Sequence, residues 1–284
     1  MVVVRTLLMA VVIVMGLLSF FQRRIMYPAT QAERLPVAAF PETARQFAAA
    51  SDVRLRTADG AEIGGWYLRA QSGRNSRLML LFHGNAGHRA GRTGWYRLAA
   101  GLKCDVLAID YHGYGDSEGS PTEQHLINDA QAAWQHATGP LGYRPEQIVI
   151  TGESLGGGVA VRLAADVCRA GQQPHGLLLV ATFDSMLNAA GVHFPWLPVG
   201  RLLLDRWHSD RHIADVSCRI VQYHGDADTV VPLPLGQRLH QQARAVAQDG
   251  TAKQFRLLPD SGHNGLLQQH AATFRSELAE LFRE

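Results

Sequence analysis

A serine flanked by glycines directly follows a short apolar segment, and this arrangement constrains the fold more than any other feature of the chain. Residues 148–150 are β-branched and apolar, and the sequence TGESLGGG at 151–158 follows with Ser154 at its centre. A serine at a tight turn from strand to helix points outward, and Gly152 and Gly156 are needed because a Cβ there would collide with a neighbouring strand or helix. The pattern predicts a nucleophile elbow.

The residues after this turn support the prediction. Residues 159–165 read VAVRLAA, a good helix-forming sequence with an apolar stripe. The free amides at the start of such a helix lie beside the serine hydroxyl, where an oxyanion forms during acyl transfer. Because the pattern Gly-x-Ser-x-Gly also arises by chance, a glycine-rich turn with no catalytic role is the alternative.

Composition limits the class of protein. The 284 residues, 46% hydrophobic and 18% charged, are enough for one large globular domain. The formal net charge is +2 and no long basic run is present, so we do not expect nucleic acid as a partner. Cys104, Cys168 and Cys218 are odd in number and widely spaced, which argues against a disulfide framework. The 13 histidines include no HExxH motif and no tight cluster with acids, so no metal site is expected.

The amino terminus has a different composition. Arg5 is the only charged side chain before residue 22, and residues 6–21 form an uncharged, mostly aliphatic run that QRR at 22–24 closes. A helix over residues 1–25 is just long enough to span a hydrocarbon core, so we expect a single-pass transmembrane anchor. A cleaved signal peptide is the alternative, although the run lacks a small-residue cleavage site. The flanking arginines slightly favour a cytoplasmic catalytic domain.

The rest of the chain alternates between strand and helix patterns. After a linker at 26–50, the segments 53–56 and 63–68 flank the turn residues ADG and predict a β-hairpin. Six more apolar segments of strand length follow, at 78–82, 106–109, 148–150, 177–180, 220–223 and 255–258. Apolar strands separated by helix-length stretches indicate an α/β fold with a mostly parallel sheet, whose first two strands form an antiparallel edge. We expect residues 51–284 to form this domain.

One segment interrupts the alternation. Residues 186–213 are too long for a plain connection and contain two prolines around Trp196. We expect an irregular cap followed by a short amphipathic helix, lying over the carboxyl ends of the strands as an apolar wall for an acyl chain. An ordinary helical insertion packed on the core is the alternative.

An acid and a histidine are needed to activate a serine, and in doubly wound hydrolases they follow it in the order acid, then histidine. Asp228, in the acidic turn after the strand at 220–223, is the predicted acid. Asp226 in the same turn and Asp184 after the preceding strand are alternatives. The purely structural interpretation of the acidic turn is that its aspartates hydrogen bond to the backbone of the turn, as in an Asx-turn.

His263 is the predicted base, because it lies in a loop of small residues between the last strand and a helix that begins near Leu266. A solvated loop histidine is the alternative. The oxyanion needs two amides. We expect these to be the backbone amides of Leu155, directly after the serine, and of Asn85, in the loop after the strand at 78–82.

Five ordered motifs resemble those of the α/β-hydrolase superfamily. In chain order they are HGNAG at 83–87, DYHGYGDSEG at 110–119, GESLGG at 152–157, HGDAD at 224–228 and GHN at 262–264. Within the superfamily the chain looks most similar to the membrane-anchored Bem46-like group, which includes the ABHD13- and ABHD17-type serine hydrolases. The resemblance covers nearly everything after residue 50. Unlike those relatives, the chain lacks a cysteine-rich amino terminus for palmitoylation.

The resemblance implies an eight-stranded sheet, Ser154, Asp228 and His263 as a catalytic triad, and no cofactor. It implies a serine hydrolase that cleaves esters or thioesters of small-molecule or acylated substrates. A peptidase or an acyltransferase on the same fold, and a non-catalytic binding protein that retains the fold, are the alternatives.

Overall fold

A computed structural model describes residues 2–71 and 77–282 of the chain. The strands within these residues are β1 (Ala49–Arg56), β2 (Glu62–Arg69), β3 (Leu78–Phe82), β4 (Asp105–Ile109), β5 (Ile148–Glu153), β6 (Gly176–Val180), β7 (Arg219–Gly225) and β8 (Gln254–Leu258). The α-helices are α1 (Val2–Met26), α2 (Pro41–Ala44), α3 (Thr93–Gly101), α4 (Glu123–Thr138), α5 (Leu155–Arg169), α6 (Met186–His193), α7 (Val199–Leu202), α8 (Ser209–His212), α9 (Leu233–Gln242), α10 (Leu266–Gln269) and α11 (Ala271–Leu278).

The eight strands form one sheet in the order β1-β2-β4-β3-β5-β6-β7-β8. Strand β1 pairs antiparallel with β2, and β2 pairs antiparallel with β4. All other neighbours are parallel. The expected mostly parallel, eight-stranded sheet with an antiparallel edge is therefore confirmed.

Strands β3 and β6 are apolar along their whole length because both faces of the sheet are covered there. Every residue of β3, β4 and β6 is buried. In β3, Leu80 belongs to the apolar cluster on one face, whereas Leu81 belongs to the cluster on the other. The carboxyl ends of parallel strands share one edge of the sheet, which brings the loops after β3, β5, β7 and β8 together.

The amino-terminal helix forms, but its expected role as a transmembrane anchor is not supported. Within residues 2–71 and 77–282, no helix has the length and apolarity required to cross a bilayer. Although α1 is 25 residues long, its last turns contain Gln22 and Arg23. These two polar side chains bind residues 202–205 of the same chain, so this end of the helix packs on the protein.

The segment expected as a linker, residues 26–50, is packed on the sheet. Its side chains Tyr27, Leu35, Val37 and Phe47 are buried. Trp66 of β2 donates a 2.8 Å hydrogen bond from its indole nitrogen to the Leu35 carbonyl.

The segment 186–213 differs in detail from its expected structure. It begins with α6 rather than with irregular chain, because the Ser185 hydroxyl caps this helix by accepting a 3.0 Å hydrogen bond from the Asn188 amide. The irregular part comes next, around Trp196, which is 68% exposed. The short helices α7 and α8 follow.

Candidate active site

The backbone at Ser154 has an unusual conformation that the flanking glycines make possible. Ser154 lies between β5 and α5 with φ 53° and ψ −116°, a region rarely adopted by residues that carry a Cβ. A Cβ on Gly152 would lie 2.3 Å from the Gly156 carbonyl oxygen, and a Cβ on Gly156 would lie 2.1 Å from that of Phe82. Only glycine fits at these two positions, so the turn from strand to helix forms as expected.

Three side chains from separate loops lie in series beside this turn. His263 Nε2 is 3.0 Å from Ser154 Oγ, and His263 Nδ1 is 2.7 Å from Asp228 Oδ2. Because a carboxylate only accepts, Nδ1 carries the ring proton and the Nε2 lone pair faces the hydroxyl. The structure therefore brings the predicted serine, histidine and aspartate together in the order that proton abstraction requires.

Asp228 is fixed by its own turn. Its side chain is fully buried, and Oδ1 accepts hydrogen bonds of 2.9 and 2.8 Å from the amides of Val230 and Val231. His224 lies beneath it, with Nε2 2.8 Å from the Val231 carbonyl oxygen. Burial lowers the pKa of His224, so this ring is neutral and His263 is the imidazole that the carboxylate engages.

The two alternative acids bind elsewhere. Asp226 is exposed and accepts a 3.3 Å hydrogen bond from the Ser261 amide, which ties together the loops after β7 and β8. Asp184 is buried, and its Oδ2 accepts hydrogen bonds of 2.8 Å from Asn188 and 2.7 Å from Arg238. Neither contact involves His263.

The two residues predicted to stabilise an oxyanion lie next to Ser154. The Leu155 amide is the first in α5, where a helix provides no carbonyl to accept from it. A Cβ built on Gly84 would lie 3.6 Å from Ser154 Cβ, so the loop after β3 lies against the serine. The side chain of Asn85 is engaged on both sides, because it donates to the Met26 carbonyl at 2.5 Å and accepts from the Tyr114 hydroxyl at 3.0 Å.

A buried network of charged side chains connects the loop after β3 to the loop after β4. The Arg89 guanidinium lies 2.5 Å from Asp110 and 2.7 Å from Asp116, and His83 Nε2 lies 3.2 Å from Asp110. Burial alone would raise the pKa of Asp110, but His83 and the Arg89 charge lower it below its usual value. These contacts join the segments that the sequence places at 83–89 and 110–119.

An apolar cavity of about 500 Å³ opens from Ser154 and His263. Much of its apolar wall comes from two regions distant in sequence, namely the end of α1 and the segment 186–213. The apolar side chains of these walls include Leu18, Ile25, Met26, Met186, Phe194 and Leu202. The segment 186–213 therefore contributes apolar residues to the wall of this cavity.

Comparison with known sequences decides the family. Residues 77–197 match a family model described as the alpha/beta hydrolase fold. Uncharacterized protein MT2364 of Mycobacterium tuberculosis (strain CDC 1551 / Oshkosh) is 37% identical over 252 residues, which are 88% of this chain and 84% of that protein. The chain belongs to the α/β-hydrolase superfamily. Lysophosphatidylserine lipase ABHD12 of Danio rerio is 33% identical to this hydrolase over 207 residues, 67% of this chain and 53% of that protein.

Solved structures show the same fold. The hydrolase is similar to the Pyrococcus furiosus esterase Pf2001, with a TM-score of 0.68 and 18% identity over 90% of this chain and 95% of that chain. An alpha-beta hydrolase from Vibrio vulnificus gives a TM-score of 0.64 and 21% identity over 87% and 96% of the two chains. At these identities the likeness concerns the fold alone.

The contribution of α1 to the site of this hydrolase is not among the features expected from the sequence. The Gln22 amide group donates to the Leu202 carbonyl at 3.1 Å, and its oxygen accepts from the Leu204 amide at 2.8 Å. Trp207 donates a 2.9 Å hydrogen bond from its indole nitrogen to the Tyr27 hydroxyl. The one sequence signal for this packing is the change from apolar to polar residues at Gln22, which is also typical of the end of a membrane segment.

Proposed function

We propose that this hydrolase cleaves carboxylic ester bonds in substrates that carry one long acyl chain. One observation supports this proposal. Asp228 binds His263, His263 binds Ser154, and Ser154 lies in the wall of an apolar cavity of about 500 Å³. An acyl chain lying in this cavity has its carbonyl carbon beside the serine hydroxyl. Burial of each methylene group contributes about 0.8 kcal/mol, which favours long chains over short ones.

The proposed reaction proceeds through an acyl-enzyme. His263 Nε2 takes the proton of Ser154 as Oγ attacks the ester carbonyl, and the oxyanion accepts hydrogen bonds from the amides of Asn85 and Leu155. The protonated imidazole then donates its proton to the departing alkoxide, so the substrate C–O bond breaks and an acyl-serine remains. Asp228 keeps the ring oriented and stabilises its positive charge.

Water completes the cycle. His263 takes a proton from the water molecule as its oxygen attacks the acyl-serine carbonyl, and the second oxyanion uses the same two amides. Collapse of this intermediate returns the proton to Ser154 Oγ and releases the carboxylic acid. A thioester has the same acyl carbonyl and would follow the same path with a thiol as leaving group.

The head of the substrate would lie at the polar side of the cavity. Arg92 lines the cavity and donates hydrogen bonds to the carbonyls of Gly84 and Ala86, so it adds a positive charge beside the oxyanion loop. The relative ABHD12 is named as a lipase of lysophosphatidylserine, a lipid with one acyl chain and an anionic head. We therefore infer that a single-chain lipid with an anionic head is the preferred class of substrate.

The boundaries given by the sequence stay predictions: residues 51–284 as the catalytic domain and about 186–213 as its cap. Membership of the Bem46-like group with the ABHD13- and ABHD17-type hydrolases also stays a prediction, supported by the order of the five motifs.

The test compares the full chain with Ser154→Ala on p-nitrophenyl esters and thioesters of increasing acyl length, and on single-chain and two-chain phospholipids. We expect turnover by the wild type to rise with chain length and to fall at least about a thousandfold in the variant. A fluorophosphonate probe should label only the wild type.

Near wild-type turnover by Ser154→Ala would overturn the serine mechanism, and absence of labelling would favour a non-catalytic binding protein. Preferential cleavage of amides, or transfer to added alcohols, would favour a peptidase or an acyltransferase.

A further inference from the structure

Three potential metal ligands converge at a position that the proposed reaction does not use. Asp59 lies in the turn between β1 and β2, His112 in the loop after β4, and His125 in the first turn of α4. Asp59 Oδ2 is 3.4 Å from His112 Nε2 and 3.7 Å from His125 Nε2. All three atoms lie within 4.8 Å of one another.

The second nitrogen of each imidazole is already bound to an oxygen acceptor. His112 Nδ1 lies 2.6 Å from Asp129 Oδ1, and His125 Nδ1 lies 2.7 Å from the Ser120 carbonyl oxygen. Neither a carboxylate nor a carbonyl has a proton to give, so each Nδ1 donates and Nε2 is the ring nitrogen that faces Asp59. Burial alone would lower the pKa of His112, but the carboxylates of Asp129 and Asp59 raise it above its usual value, so a metal ion competes with a proton for this Nε2. Metal-binding histidines in proteins are oriented in this way, by a carboxylate or a backbone carbonyl on the other nitrogen.

The carboxylate is oriented as well. The Thr57 hydroxyl donates to Asp59 Oδ1, which leaves Oδ2 as the oxygen that faces the two imidazoles. Oδ2 also accepts a 3.5 Å hydrogen bond from the Asn128 amide group. Three atoms that can each donate an electron pair to a metal ion therefore lie around one small space, where a cation would be stabilised.

The spacing suits a small divalent ion. In a tetrahedral zinc site with bonds of about 2.0–2.1 Å, neighbouring ligand atoms are about 3.4 Å apart. Both distances to Asp59 Oδ2 are close to this value. The rings of His112 and His125 are stacked at 4.6 Å, and His112 is buried whereas the side chain of His125 is 34% exposed. The adjustment required for binding therefore falls on the more accessible ring.

We propose that Asp59, His112 and His125 form a binding site for a divalent transition-metal ion of the Zn²⁺ class, with water completing its coordination. Two imidazoles and one carboxylate suit such ions, whereas Mg²⁺ and Ca²⁺ prefer oxygen ligands alone. The ion would join the β1–β2 turn at the edge of the sheet to the amino-terminal end of α4. Its role is structural, because none of the three ligand side chains hydrogen bonds to Ser154 or His263 within the described residues.

Titration of the EDTA-treated full chain with Zn²⁺ near pH 7.5, about one unit above the ordinary pKa of histidine, tests this proposal. We expect one tightly bound ion per chain and a Zn²⁺-dependent rise in Tm. His125→Gln and Asp59→Asn should weaken binding at least about tenfold and abolish the rise in Tm. Asp129→Asn, which removes the carboxylate that binds both the ring and the backbone amide of His112, should weaken Zn²⁺ binding about 10- to 100-fold.

His136→Gln is the matched control, because His136 lies at the other end of the same helix, away from Asp59. It should bind Zn²⁺ as the wild type does, which separates the proposed site from weak binding by other histidines. Circular dichroism confirms the fold of each variant. Absence of tight binding by the wild type, or equal affinity in His125→Gln, overturns the proposal. Neither the Zn²⁺ titration nor the Tm measurement depends on ester turnover, so the outcome is independent of the proposed catalytic function.

Discussion

The Arg23 guanidinium donates two hydrogen bonds of 3.1 Å to the carboxylate of Asp205. Arg23 lies near the end of α1 and Asp205 lies in the segment 186–213, so the pair connects the two walls of the cavity. The side chain of Asp205 is 6% exposed and that of Arg23 is 45% exposed. The carboxylate therefore depends on this partner more than the arginine does.

Arg23→Ala should reduce both stability and the preference for long acyl chains. The substitution leaves a buried carboxylate without its partner, at a cost of roughly 1–3 kcal/mol. It also loosens α1, whose residues Leu18, Ile25 and Met26 line the cavity. We expect a lower Tm and a smaller ratio of kcat/KM for long-chain over short-chain esters. The control is Arg24→Ala, since Arg24 lies over the exposed ring of Phe21. Equal Tm values for the two variants would contradict this role.

Leu18→Trp should shorten the acyl chain that the cavity accepts. Leu18 lines the cavity, and an indole ring there would occupy part of its volume of about 500 Å³. We expect KM to rise for long-chain p-nitrophenyl esters and to stay unchanged for the acetate. Leu17→Trp is the matched control, because Leu17 is the next residue in α1 but is 53% exposed and does not line the cavity. The idea fails if both variants change the chain-length profile equally.

Asp228→Asn should lower kcat by about 10⁴-fold while the protein stays folded. An amide at this position favours the wrong tautomer of His263, so Nε2 no longer accepts the serine proton. Asp226→Asn in the same turn should retain activity within about twofold, because Asp226 is exposed and its carboxylate binds the Ser261 amide rather than His263. Measured kcat values for the two purified variants decide between these acids, and the reverse ranking would make Asp226 the catalytic carboxylate.

The sequence predicts what local patterns encode. Hydrophobic runs locate buried parallel strands such as β3 and β6, whereas the turn residues ADG locate the hairpin of β1 and β2. The turn at Ser154 depends on nearby glycines, and Gly152 and Gly156 reveal it without any tertiary information. His263 and Asp228 lie at the ends of predicted strands, where the topology of a parallel sheet brings loops to one edge.

Contacts between distant segments could not be predicted in the same way. Arg23 and Asp205 are 182 residues apart, and no periodic pattern relates them. The polar end of α1 therefore indicated the end of a membrane segment, whereas the structure uses it to bind the segment 186–213. Asp59, His112 and His125 are likewise scattered through the sequence and meet because the β1–β2 turn lies beside α4.

Gly156→Ala should destabilise the protein, because a Cβ there would lie 2.1 Å from the Phe82 carbonyl oxygen. Backbone atoms on both sides must move apart, and overpacking of this kind costs about 1–3 kcal/mol or more. Gly191→Ala is the opposite case, since Gly191 lies inside α6 with its nearest neighbour, Val199, 4.0 Å from a built Cβ. There alanine should stabilise the helix by about 0.5–1 kcal/mol. Urea unfolding of both variants measures the two effects, and a stable Gly156→Ala protein would show that β3 and α5 are less closely packed than the structure indicates.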